Sequence, residues 1–128
     1  MRLLLDTHAL IWWFEDDPRL SQRARAAIGA TRSQVVVSTA TAWECAIKVP
    51  TGKLPQAAAL LASFRPLLAK AGFDLLDMSL EHILAAGALP RFHGDPFDRV
   101  LIAQALAEGM PLVSKDKELD RYGVKRLW

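Results

Sequence analysis

The stretch Arg2-Leu3-Leu4-Leu5-Asp6-Thr7-His8 decides the fold. Three consecutive leucines cut off by a carboxylate describe a short strand, buried on both faces, that ends at a polar edge. The pattern recurs along the chain. Val35-Val36-Val37, rich in β-branched residues, leads towards Glu44. Leu112-Val113-Ser114 leads towards Asp116, and a helical segment opens with Asp95-Pro96-Phe97-Asp98. Strand ends that repeatedly deliver acids imply one acidic pocket at one edge of a sheet.

Working outward, the periodicity predicts strands at Arg2–Leu5, Gln34–Ser38, Phe73–Leu76 and Pro111–Ser114, with an edge strand within Val124–Trp128. Between them it predicts a helix over Ala9–Phe14 and one opened by an Asp17-Pro18 cap that runs to Gly29. Further helices are expected from Thr41 to Lys48, from Gln56 to Lys70 with a break around Pro66, over Leu80–Ala88, and from Pro96 to Glu108 with a stop at Gly109. Lys117–Tyr122 reads as a helical turn. Alternating strands and helices give an α/β sandwich, with a parallel sheet and right-handed crossovers. In such sheets the functional crevice lies outside the carboxyl ends of the strands, where Asp6 and Asp116 fall.

At 128 residues the chain suits one domain, without internal repeat, low-complexity tract or linker. A hydrophobic content of 52% excludes disorder. The net charge of +2 permits an anionic polymer as ligand without demanding one. A single cysteine, Cys45, excludes an internal disulfide framework and reads as a small core residue in a reducing compartment. The first apolar run is cut at Asp6, too early for a signal peptide, and no uncharged stretch approaches the ~18 residues of a membrane span. A cytoplasmic protein is expected.

Each acid also has a purely structural reading. Thr41-Ala42-Trp43-Glu44 matches a capping box, Asp95-Pro96 an N-cap with proline after it, and Asp98 a first-turn anion. Asp116 suits a cap and Asp6 a turn. Their conjunction points further. Asp6, Glu44, Asp98 and Asp116 all fall at strand ends or first helical turns, and clustered carboxylates are tolerable only when protons or cations neutralise them. Hard oxygen ligands favour Mg²⁺ or Mn²⁺, and no histidine or cysteine set has zinc spacing. His8, His82 and His93 are scattered, and are assigned to the surface or to supporting positions rather than to the metal.

Leu3-Leu4-Leu5-Asp6-Thr7, Trp43-Glu44, Asp95-Pro96-Phe97-Asp98-Arg99 running into Ile102-Ala103-Gln104-Ala105, and Ser114-Lys115-Asp116 stand in an order that resembles the PIN-domain ribonucleases, specifically the VapC toxins of bacterial toxin–antitoxin pairs. The resemblance covers the whole chain, through Tyr122-Gly123-Val124 to Leu127-Trp128. It implies a single PIN domain over residues 1–128, a PIN-like three-layer sandwich with a central, mainly parallel sheet flanked by helices. It also implies a Mg²⁺-dependent endoribonuclease, with Mn²⁺ as a substitute, that leaves 5′-phosphate ends. By the same resemblance Asp6, Glu44, Asp98 and Asp116 carry the metal site, with Asp95 as the alternative to Asp98. Glu44 either binds metal or orients the attacking water. Thr7 and Ser114 are the supporting hydroxyls, and Arg99 neighbours the site. The implied partners are RNA and a cognate antitoxin, in a homodimer or a toxin–antitoxin hetero-oligomer.

Arg19, Arg23, Arg25, Arg32, Lys48, Lys53 and Arg99 are the candidate phosphate contacts, against a reading of all but Arg99 as solvated helix faces. Trp12-Trp13-Phe14 is too apolar to leave in water, which favours core or interface over base stacking; Trp43 is the third stacking candidate. Leu10, Trp12 and Trp13, or the Leu60-Leu61 helix, are the expected anchors for the antitoxin. Two other functions compete. A phospho-accepting receiver module would use Asp77 after the Phe73–Leu76 strand with Lys115 after a later one, and a non-catalytic PIN-like protein would act by binding alone.

Overall fold

Five strands, all parallel, form one sheet in the computed structural model, which describes residues 1–128. The strands are β1 (Arg2–Leu5), β2 (Gln34–Ser38), β3 (Asp74–Leu76), β4 (Leu112–Val113) and β5 (Arg126–Leu127), in the order β3-β2-β1-β4-β5. β1 is therefore central, with Leu5 level with Val37 on one side and Val113 on the other. The helices are α1 (Thr7–Glu15), α2 (Gln22–Gly29), α3 (Thr39–Lys48), α4 (Ala58–Ala62), α5 (Phe64–Ala71), α6 (Leu80–Ala88) and α7 (Pro96–Glu108), with 3-10 turns at Pro55–Ala57 and Lys117–Tyr122.

Alternation along each strand splits the interior into two cores. Leu3, Leu5, Val35, Val37 and Val113 face one side, with Leu10, Ile28, Leu60 and Leu68 from α1, α2, α4 and α5. Leu4, Val36 and Leu112 face the other, with Ala86, Leu101, Ile102 and Ala105 from α6 and α7. Each of the three leucines of β1 is fully buried, and such burial contributes about 2 kcal/mol per side chain. The chain winds outward from β1 through β2 to β3 with its helices on the first face. It then returns past β1 to β4 with α6 and α7 on the second, as right-handed crossovers require. The direction of winding reverses between β1 and β4, so a crevice opens at their carboxyl ends.

The helix starts differ from expectation in two places. α2 is capped by Ser21, which accepts the Ala24 N–H, whereas Asp17 turns its carboxylate to the Arg19 backbone and guanidinium. α3 begins two residues before Thr41, capped by Ser38, so Thr41 and Glu44 form no capping box and are buried inside the helix. The break in the alanine-rich helix falls at Ser63 rather than at Pro66, because proline in the first turn of α5 removes only an N–H that the helix leaves unused. α7 ends as expected at Gly109, whose φ of 64° is the left-handed cap conformation. No helix is long and apolar enough to cross a membrane.

Candidate active site

Asp6 ends β1 and caps α1, accepting the Ala9 N–H at 2.8 Å. Burial pushes its carboxyl up to about 6; the Ser114 hydroxyl and the Ala9 N–H oppose this, and the charges of Glu44 and Asp116 add to it. Asp98, in the first turn of α7, is likewise pushed up to about 6 by burial and by Asp95 and Asp6, against a lowering contact from His93. Two carboxyls held this far above the ordinary range share a site that calls for a compensating cation.

Asp98 and Asp116 stand together with His93, one ligand atom of each lying within 4.8 Å of the others. His93 Nε2 is 2.7 Å from Asp98 Oδ2. Asp116 follows β4, receives support from Ser114 Oγ at its N–H, and caps the 3-10 turn beyond. Glu44 projects from α3 into the same crevice but is held differently. Thr7 Oγ1 donates to Glu44 Oε1 at 2.6 Å, and Lys48 Nζ, one helical turn on, donates to Oε2 at 2.5 Å. Asp95 uses Oδ1 to cap α7, accepting the Phe97 and Asp98 N–H groups, and presents Oδ2 4.0 Å from Lys48 Nζ. Of the two aspartates, Asp95 does the capping and Asp98 points at the cluster.

The donor set fits a divalent ion. Carboxylate oxygens from Asp98 and Asp116, with Asp6 close enough to feel the charge of both, suit Mg²⁺ or Mn²⁺, and an imidazole beside them leans the set towards Mn²⁺. His93 is the residue that the sequence reading set apart from the metal. Its signal was its place in the loop directly before α7, five positions ahead of Asp98. Lys48, a candidate phosphate contact in the sequence, pairs with Glu44 inside the acid cluster, at an i,i+4 spacing that was legible.

Arg99 corrects another expectation. It is buried, and its guanidinium donates to the carbonyls of Ala86, Leu89, Pro90 and His93 at 2.8–3.2 Å. No phosphate can reach it; it holds the loop that carries His93. Arg19 and Arg25 are occupied by Asp17 and Asp16. Trp12 is buried against Trp128, while Trp43 is exposed and packs edge-on to Phe97 at 4.9 Å, beside the acids. The receiver reading loses its geometry. Asp77 follows β3 at the sheet edge, and β2 and β1 separate it from β4 and Lys115. Leu10 is fully buried, and Trp12 is covered by Trp128 and Arg19, so neither opens onto a groove. The apolar surface nearby is a groove of about 250 Å³ between α1 and α4–α5, lined by Ile11, Phe14, Ala59, Leu60 and Leu67.

Residues 3–125 match the PIN domain family. The chain is 31% identical to Ribonuclease VapC22 of Mycobacterium tuberculosis, an alignment covering 91% of this chain and 88% of that protein. In fold it resembles a chain of VapBC2 from Rickettsia felis, solved bound to a promoter DNA fragment, with a TM-score of 0.70, 15% identity and full coverage of both chains. It also resembles a chain of a toxin–antitoxin complex from Klebsiella pneumoniae, with a TM-score of 0.60, 23% identity, and coverage of 89% and 86%.

Proposed function

The chain belongs to the PIN-domain family, of the VapC type, and from that premise we propose that it is a divalent-metal-dependent endoribonuclease restrained by a cognate antitoxin. The observation that carries the reading is the convergence of Asp6, Glu44, Asp98 and Asp116 on the crevice between β1 and β4, with two of the four carboxyls raised to about 6 by burial. A binding-only protein would have no use for so costly an arrangement.

Asp98 and Asp116, with Asp6 and His93 at their side, are the groups that would hold Mg²⁺ or Mn²⁺. An ion there would screen the phosphodiester's charge, lower the pKa of a bound water and stabilise the departing oxygen. Thr7 fixes one oxygen of Glu44 and Lys48 holds the other, which would accept a proton from the attacking water only once Lys48 lets it go. Ser114 steadies Asp116, and buried Arg99 steadies the His93 loop. Exposed Trp43 offers a ring face on which a base could stack.

The antitoxin follows from the relatives, which are solved as toxin–antitoxin complexes, and the groove between α1 and α4–α5 is the surface we assign to it. Purified protein should cleave total bacterial RNA in Mg²⁺, stop when EDTA is added, and resume with excess Mn²⁺. It should leave 5′-phosphate ends. Cleavage that persists in EDTA, or a wild-type rate in Asp98→Asn, would refute the reading.

A further inference from the structure

Glu44 and Lys48 differ from an ordinary surface pair. The Glu44 side chain is 6% exposed and the Lys48 side chain 27%, so the carboxylate is inside the site and the ammonium stands at its rim. One Glu44 oxygen is engaged by Thr7, which leaves Lys48 as the cation on the other. Lys48 Nζ also lies 4.0 Å from Asp95 Oδ2 and 5.4 Å from the centre of the Phe97 ring, which orients it across the mouth of the acid cluster. The protein thus carries a positive charge of its own where a divalent ion is expected to act.

The two cations have opposed demands. A divalent ion held by Asp98 and Asp116 repels the ammonium that feels the charge of Asp98, and its arrival weakens the hold of Glu44 on Lys48. The incoming RNA, meanwhile, must place an anionic phosphate against several carboxylates. Two other basic groups nearby are committed. Arg99 is buried on backbone carbonyls, and Arg126 is fixed between Asp120 and the Ser114 carbonyl. Lysine, with a flexible four-carbon stem and three donors, can leave one anion for another without losing its charge.

We propose that Lys48 is a transferable cation of this site, paired with Glu44 as the structure shows and moved to the RNA phosphate when a divalent ion takes the carboxylates. This rests on the metal-dependent nuclease reading above. It makes Lys48 both a competitor of the metal and a contact of the substrate, two roles with opposite signs under mutation.

The test compares wild type, Lys48→Met and Lys48→Arg by calorimetric titration with Mn²⁺ and by cleavage of total bacterial RNA at saturating Mn²⁺. Lys48→Met should bind Mn²⁺ more tightly, on the order of tenfold, because a nearby like charge is gone. The same variant should cleave more slowly by roughly tenfold or more, because the phosphate loses its cation. Lys48→Arg should restore much of the cleavage. A purely structural ion pair also predicts the Lys48→Arg rescue, but it predicts weaker rather than tighter Mn²⁺ binding in Lys48→Met, because a Glu44 left unsupported would hold the metal less well. Unchanged Mn²⁺ affinity in Lys48→Met would overturn the competition, and tighter Mn²⁺ with undiminished cleavage would overturn the phosphate contact. If wild type itself neither binds Mn²⁺ nor cleaves, the nuclease reading fails first and the proposal falls with it.

Discussion

Asp95 and Asp98 stand three residues apart on one helix start and do different things, which mutation can separate. Asp98→Asn keeps the shape but removes the charge that faces His93 and Asp116. RNA cleavage should fall by more than about 100-fold, beyond what loss of a supporting group causes. Asp95→Ala removes two hydrogen bonds at the α7 N-terminus and should cost about 1 kcal/mol of stability, with turnover changed far less. Cleavage rates and melting temperatures of the two variants check this; an inactive Asp95→Ala beside an active Asp98→Asn would reverse the assignment. The same residues set a pH dependence. Asp6 and Asp98 titrate near 3.8 when unfolded and near 6 when folded, so between those values the folded state binds more protons than the unfolded one. Stability of the metal-free protein therefore declines as pH rises from about 4 to about 6 and levels off above. Asp17, held down to about 2 by Arg19, acts only at lower pH and in the opposite sense. Melting curves in EDTA should show the decline. Asp98→Asn should flatten it, and saturating Mn²⁺ should raise the melting temperature most at the upper end.

At the scale of elements, the sequence located what local chemistry dictates and missed what tertiary contacts decide. Gln34–Ser38 and Pro96–Glu108 were readable because β-branched content, and a proline start with a glycine stop, act within a few residues. The start of α3 was misplaced because Thr41-Ala42-Trp43-Glu44 matches a capping box, whereas Ser38, read as the end of the strand, is the cap that forms. Burying Thr41 and Glu44 beside Thr7 chose between them. His93 and Arg99 were hidden for a related reason: their meaning lies in a loop whose path is fixed by long-range contacts. Arg99 gathers carbonyls from the end of α6 through His93, so the loop depends on one guanidinium. Arg99→Met preserves bulk but orphans these acceptors, and stability should drop on the order of 3 kcal/mol. Denaturant titration measures that drop. An unchanged midpoint would mean that the loop is held by other contacts.

For the whole molecule, the two-sided core makes the sheet rigid and leaves function to its margins. The four acids meet at one margin, while the α1–α4–α5 groove lies on the first face of the sandwich. Ala59 lines that groove yet is exposed, so Ala59→Glu should fold normally. It should weaken antitoxin capture by roughly tenfold or more, since a charge in an apolar anchor site is poorly tolerated, while free nuclease activity stays unchanged. Co-purification and surface-binding measurements with the product of a neighbouring antitoxin-like gene test this, and wild-type affinity would move the docking surface elsewhere.

The strand order has a last consequence, in time rather than space. β1 precedes the other strands, but the strand that completes its other side is the fourth, and Asp116 follows that strand. No nascent chain that stops before Asp116 contains the full set of acids. On the nuclease reading proposed above, the ribosome, itself built of RNA, is therefore shielded from the product it is making by the order in which that product's parts emerge. Stalled ribosome complexes whose chains stop within α7 should leave RNA intact in Mg²⁺, whereas chains released in full should cut it.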